Sequence, residues 1–185
     1  AGTESFVGLD NFIFVFTDRV MLESFRNNVL WLVLGTSLTV IFGLLIAVLA
    51  DRTHPAFETA VKSLIFLPMA ISFIGAGVIW KFMYAAKPEG VPQIGVLNAI
   101  WVALGGEPIG WLVIEPTNTI MMIIVLIWMQ TGFAMVVLSA ALKGVPKELL
   151  EAGRIDGANE VQIFLRIMIP YIQGSIITVS TTILL

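Results

Sequence analysis

The sequence predicts an all-α membrane protein, a polytopic bundle of transmembrane helices. Three observations lead there. The chain of 185 residues is 58% hydrophobic and only 12% charged, where soluble domains carry about 25% charged residues. Its mean hydropathy is +0.96. Its apolar residues fall in uncharged runs, two of which exceed the roughly 20 residues that cross a bilayer as a helix.

The runs set the elements. Asn27 to Ala50 is uncharged over 24 residues, and Pro116 to Leu142 over 27. Both are long enough to span with some tilt. Ser63 to Trp80 has 18 residues, and its Pro68 should kink or break a helix because proline lacks the backbone donor. Ile167 to Leu185 gives 19 more. The expected organisation is an outer segment over 1–26 and a transmembrane domain over 27–185. Its spans fall near 27–50, 63–80, 116–142 and 167–185, with a polar loop at 143–166. Gly43 with Ala47, and Ser72 with Ala76, are small residues four apart, a spacing that lets helices approach closely in a bilayer.

Lysine and arginine set the orientation. With 143–166 inside, the inner segments hold six basic residues (Arg52, Lys62, Lys143, Lys147, Arg154, Arg166). The outer ones hold four (Arg19, Arg26, Lys81, Lys87). The outer loop 81–115 is rich in glycine and proline. Within it, Ile94 to Leu104 is apolar but too short to span, and reads as an interfacial or re-entrant helix. Trp101 and Trp111 suit a membrane interface.

Several function classes are excluded or disfavoured. The formal net charge of −3 supplies no basic field for nucleic acid. The chain has no cysteine and one histidine, His54, so no disulfide, thiol nucleophile or cysteine metal site is expected. His54 is expected in water beside a turn at Pro55, with no assigned role. The chain shows no phosphate loop of the Gly-x-x-x-x-Gly-Lys-Ser/Thr type and no catalytic pattern, so it is read as no enzyme and as holding no cofactor or metal.

The polar loop 143–166 is the informative segment. Pro146 suits a first helical turn. Lys147 to Asp156 then reads as a short helix, ended by Gly157 in the left-handed region. Asn159 with Gln162 three residues on forms a capping-box pattern for a second helix, whose expected apolar face is Val161, Phe164, Leu165 and Met168. Asp156 is expected to accept hydrogen bonds from backbone donors after the turn. A folded helix–turn–helix between two spans implies a docking element.

These residues resemble the signature loop of binding-protein-dependent ABC importer permeases. That pattern is Glu-Ala-Ala, three residues, Gly, nine residues, Ile, one residue, Leu-Pro. Here Glu151, Ala152, Gly153, Gly157, Ile167, Ile169 and Pro170 keep every spacing, with Gly153 for the second alanine and Ile169 for the leucine. Gly153 should weaken the helix by up to about 1 kcal/mol relative to alanine. Asp156-Gly157-Ala158 also looks like the common form of the family. FVGLDNF, Phe6 to Phe12, is similar to the segment before the second helix of sugar-type members.

The resemblance implies spans two to five of a longer subunit in a bacterial or archaeal cytoplasmic membrane. It implies that Glu151, Ala152, Gly153, Asp156, Gly157 and Ala158 dock a cytoplasmic ATPase dimer that binds the ATP. The other implied partners are a second permease subunit, an extracytoplasmic solute-binding protein and a carbohydrate, an oligosaccharide or α-glucoside. For Glu151 a solvated charge paired with Lys147 at i−4 is the alternative. Leu126, Met129, Gln130 and Phe133 share a helix face that, by the same resemblance, lines the substrate path. Gln130 bonding another helix is the alternative there. An ion-coupled transporter or channel is the competing class. Against it, the spans hold no charged residue to carry a coupling ion.

Overall fold

The computed structural model describes residues 8–185. Of the segment similar to sugar-type members, Phe6 and Val7 lie outside the described residues. A short helix α1 (Asp10–Thr17) leads into α2, Arg19–Ala50, which is continuous over 32 residues. The helix therefore begins eight residues before the uncharged run at Asn27. Asp18 caps it by accepting from Met21 N at 3.0 Å, and Arg19 pairs with Glu23 one turn on. These local interactions offset the charges in the added turns. A π-helical turn at Trp31–Gly35 interrupts the α-helical register.

Helix α3 (Pro55–Phe66) starts on an exposed His54 whose Nδ1 accepts from Ala56 N at 3.3 Å. The only histidine thus has a capping role that its composition did not signal. Pro68 sits in a tight 3-10 turn, Leu67–Ala70. The chain then bends by 101° into α4 (Phe73–Met83). Ser72 is exposed and caps α4 through Gly75 N at 3.1 Å. It is a capping residue rather than a packing one, because its hydroxyl is committed to an orphan helix donor. Ala76, one turn on, is fully buried.

The segment between α4 and α6 is folded. Its helix α5 spans Val96–Ala103. Asn98 is fully buried and carries three bonds: its amide donates to Ala85 O and Ile109 O, and its oxygen accepts from Ile109 N. Gln93 closes the neighbouring turn by accepting from Lys87 N and donating to Lys87 O. Trp101 and Trp111 meet edge to face at 6.5 Å.

Helix α6, Thr117–Lys143, runs 27 residues, about 40 Å at 1.5 Å per residue. It is the axis of the bundle. α2 lies along it so closely that a Cβ at Gly43 would fall 2.6 Å from Ala134 Cβ and 2.9 Å from Met135 N. At Gly132 a Cβ would meet Ile65 O at 2.5 Å and Phe66 Cα at 2.7 Å, so α3 also touches α6 backbone to backbone. Val40, Ala47, Met135, Leu138 and Leu142 form the core between them, joined by Ile172 and Val179. After the loop helix α7 (Lys147–Ile155) comes α8, Glu160–Tyr171, bent by 65° from α9, Gln173–Leu184. The outward faces are apolar: Leu32, Ile41, Phe42, Leu45 and Leu49 on α2 are all exposed, as befits helices solvated by lipid.

The α2–α6 contact makes a stability prediction. Gly43→Ala pushes a methyl into backbone that cannot yield, and should cost about 1–3 kcal/mol. Gly174→Ala, where no atom lies within 4 Å of the added carbon, should leave stability unchanged or slightly raised. Thermal unfolding of both variants in detergent compares them. Equal midpoints would rule out the close contact.

Candidate functional site

The loop after α6 folds by local rules. Its first helix α7 ends in paired backbone bonds. Gly157 N donates to Arg154 O at 3.1 Å and Ala158 N to Gly153 O at 3.0 Å, with Gly157 at φ +82°. This closure requires the left-handed region that glycine enters freely. The capping box is complete: Gln162 N donates to Asn159 Oδ1, and Asn159 N to Gln162 Oε1, both at 2.9 Å. Arg154 pairs with Glu160 across the turn at 2.9 Å, which raises the guanidinium pKa further.

The signature residues divide by burial. Glu151, Ala152, Asp156 and Gly157 are exposed and Ala158 is half-buried. Gly153 is buried: a Cβ there would lie 2.6 Å from Ile167 Cδ1. The glycine that departs from the family pattern therefore seats α7 on α8. Among the described residues Glu151 makes no ion pair, with Lys147 or otherwise. Asp156 does not accept the expected backbone bonds. The nearby donors, Ala158 N and Asn159 N, are already taken by Gly153 O and Gln162 Oε1.

The expected apolar face of the second helix is also revised. Ile163 is the buried residue, while Val161 and Leu165 are exposed. A π-helical turn at Phe164–Met168 shifts the register within α8. Phe164 and Met168 face the bundle, where they pack on the core. Ile155, at the outer corner of the turn, is 86% exposed.

A second feature lies toward the other end of α6. A cavity of about 430 Å³ is walled by Trp31, Phe73, Trp80, Tyr84, Leu126 and Met129, among others. Trp80 packs against Tyr84 at 5.1 Å and edge-on to Trp128 at 5.6 Å. Its Nε1 is buried and bonds no protein atom. Tyr84 donates its hydroxyl to Met121 O at 2.9 Å, and burial pushes its pKa up to about 12, so it stays neutral. Of the four residues grouped on one face of α6, Leu126 and Met129 wall this cavity; Gln130 and Phe133 do not. Gln130 lies about 100° round the helix from Met129. Phe133 is a turn further on and packs on the core. Trp31, Trp80 and Tyr84 come from other elements, and single-helix periodicity could not group them with α6.

Long apolar helices, a folded polar loop and an open cavity beside the bundle axis are the frame of a polytopic helical membrane protein. Residues 12–184 match the family described as binding-protein-dependent transport system inner membrane component, and the chain belongs to that family. It is 57% identical over 97% of its length to the osmoprotective compounds uptake permease protein GgtC of Synechocystis, covering 64% of that protein. It is 52% identical over 98% of its length to the alpha-glucoside transport system permease protein AglF of Rhizobium meliloti, covering 54% of it. The chain thus spans just over half to about two thirds of the length of these relatives. The fold matches that of a bacterial ABC transporter for the polysaccharide alginate, with a TM-score of 0.77 at 21% identity, over 98% of this chain and 62% of that one.

The capping box supplies a local test. Asn159→Ala should destabilise the start of α8 by about 1 kcal/mol, speeding exchange of the Gln162 amide about fivefold. Hydrogen exchange of the full-length subunit measures it. An unchanged rate would mean that tertiary contacts alone hold this helix start.

Proposed function

We propose that the chain forms the membrane path of an ATP-driven importer for a carbohydrate, an oligosaccharide or α-glucoside. In this reading it works with a second permease subunit, an extracytoplasmic solute-binding protein and a cytoplasmic ATPase dimer that binds the ATP. The observation that carries it is the loop between α6 and α8. The loop is rigidly closed on itself, yet it projects Glu151, Asp156, Gly157 and an almost bare Ile155 away from the bundle. The support for docking is the match of these exposed positions to the spacing of the family's signature loop, on a turn whose closure is complete without any partner. Gly153 and Ala158 then set the seat and the turn rather than the contact.

The sugar reading is supported by the names of the relatives and by the chemistry of the cavity. AglF is named for alpha-glucosides, and a third relative, 28% identical, for lactose. Aromatic walls suit the apolar faces of sugar rings. The proposed route takes in this cavity, with Leu126 and Met129, and the adjoining half-buried strip with Gln130 and Phe133. Among the described residues Gln130 has no hydrogen-bond partner, so its amide is available to a solute or to a helix of another subunit.

Two experiments test the reading in the full-length assembly. Glu151→Lys and Gly157→Pro should each cut ATPase co-purification and uptake at least tenfold, the equivalent of about 1.4 kcal/mol, while membrane insertion is retained. Normal recruitment in both variants would sink the docking role. Trp80→Leu keeps an apolar side chain and removes the aromatic wall. It should raise the uptake KM several-fold by removing the surface on which a sugar ring stacks, with ATPase recruitment unaffected. An unchanged KM would remove Trp80 from the route.

A further inference from the structure

At the loop end of the bundle, four charged side chains and a serine meet where α2, α3 and α6 converge. Lys62 Nζ donates to Asp51 Oδ1 at 2.5 Å, to Glu58 Oε1 at 2.6 Å and to Ser139 Oγ at 2.5 Å. Ser139 Oγ in turn donates to Asp51 Oδ1 at 3.0 Å. Lys143 Nζ reaches Glu58 Oε1 at 2.5 Å and Asp51 Oδ1 at 3.6 Å. The Lys62, Asp51 and Glu58 side chains keep only 18%, 18% and 17% of their exposure. Two positive and two negative charges balance, and that pairing offsets the cost of withdrawing them from water.

The three helix ends are not equivalent. Glu58 in the first turn of α3 and Lys143 in the last turn of α6 each complement the local helix dipole and are favourably placed. Asp51 follows the last residue of α2, where a negative charge is disfavoured. Lys62 offsets that placement, and with Asp51 and Ser139 it closes a triangle of bonds in which each element contributes one corner; it is the cation of the three. Neither docking nor the cavity uses it.

The cluster also adjoins the loop. Only Gly144, Val145 and Pro146 separate Lys143 from α7. Asp51 and Lys143 wall a cleft of about 210 Å³ whose other side is Arg154, Glu160, Phe164 and Met168. Up the same helices, α6 bears Leu126 and Met129 on the cavity wall, and α3 leads through the 101° bend to Trp80.

We propose that Lys62 is a positioning residue that locks α3 to α2 and α6 beside the docking loop, so that movement of a docked ATPase reaches the cavity walls instead of being lost at the helix ends. The proposal rests on the importer reading above. The test uses the full-length importer with its own partners in proteoliposomes. The readout is solute taken up per ATP hydrolysed, with whichever of trehalose, sucrose and maltose the wild type takes up fastest. Lys62→Met should lower that ratio about threefold or more with the ATPase still bound, and Lys62→Arg should keep it near wild type.

Lys62→Met combined with Asp51→Asn restores charge balance without restoring the link. The thermal midpoint should recover in the double variant while the ratio stays low. A ratio that recovers together with the midpoint would reduce Lys62 to a structural role and overturn the proposal, as would an unchanged ratio in Lys62→Met. If the wild type shows no ATP-driven uptake of any of the three sugars, the sugar-importer reading itself fails, and this proposal with it.

Discussion

The constraint on which the bundle depends is the backbone contact between α2 and α6. In lipid there is no hydrophobic gain from bringing two apolar helices together, so association relies on packing at short range. Gly43 against Ala134 supplies that range, and Gly132 does the same for α3. The three axes stay close from these contacts to the loop end of the bundle. That brings Asp51, Glu58, Lys62 and Lys143 within bonding distance at one end. Along α6 the helices diverge, and Trp31 and Trp80 border a cavity instead of a seam. Contact, charge cluster and cavity are three consequences of one convergent geometry.

The loop after α6 follows a different logic. Its shape is set within about 20 residues by a helix stop, a left-handed glycine and a capping box. It meets the bundle chiefly through Val145, Leu150, Phe164 and Met168, while the small Gly153 allows α7 to settle onto α8. A locally determined element on a lipid-packed bundle can stay rigid while the bundle moves.

This difference explains what could be read from the sequence. Interactions within a few residues were legible: the turn at Gly157, the Asn159–Gln162 box and the long uncharged runs of α2 and α6. The position of Gly43 at a helix contact followed from small-residue spacing, but the same rule misassigned Ser72, whose hydroxyl went to a cap. The face of α8 was misread because a π-helical turn changes the period midway, which a fixed repeat of 3.6 residues does not register. Lys62 entered only as a basic count for orientation, since its bond to Ser139 joins residues 77 positions apart. No periodicity links such positions. The cavity's Trp31 and Trp80, on α2 and α4, were hidden for the same reason.

The charges also explain a feature of the composition. An exposed ion pair contributes little, so a chain this apolar gains almost nothing from scattering its few ions on the surface. Here two acids and two lysines are gathered where three helices end. The apolar length of each helix stays uncharged, and the polar cost falls where interfacial water and helix dipoles reduce it. About ten residues of α6, roughly 15 Å at its rise, separate Met129 on the cavity wall from Ser139 in the cluster. A rigid helix of that length carries a tilt at one end to the other with little loss, because its hydrogen bonds are all internal. The cavity and the loop end are therefore mechanically one piece along α6. Along α3 the connection passes through a bend, and α3 is held to α6 at two levels: the backbone contact at Gly132 and the four-charge joint at its base.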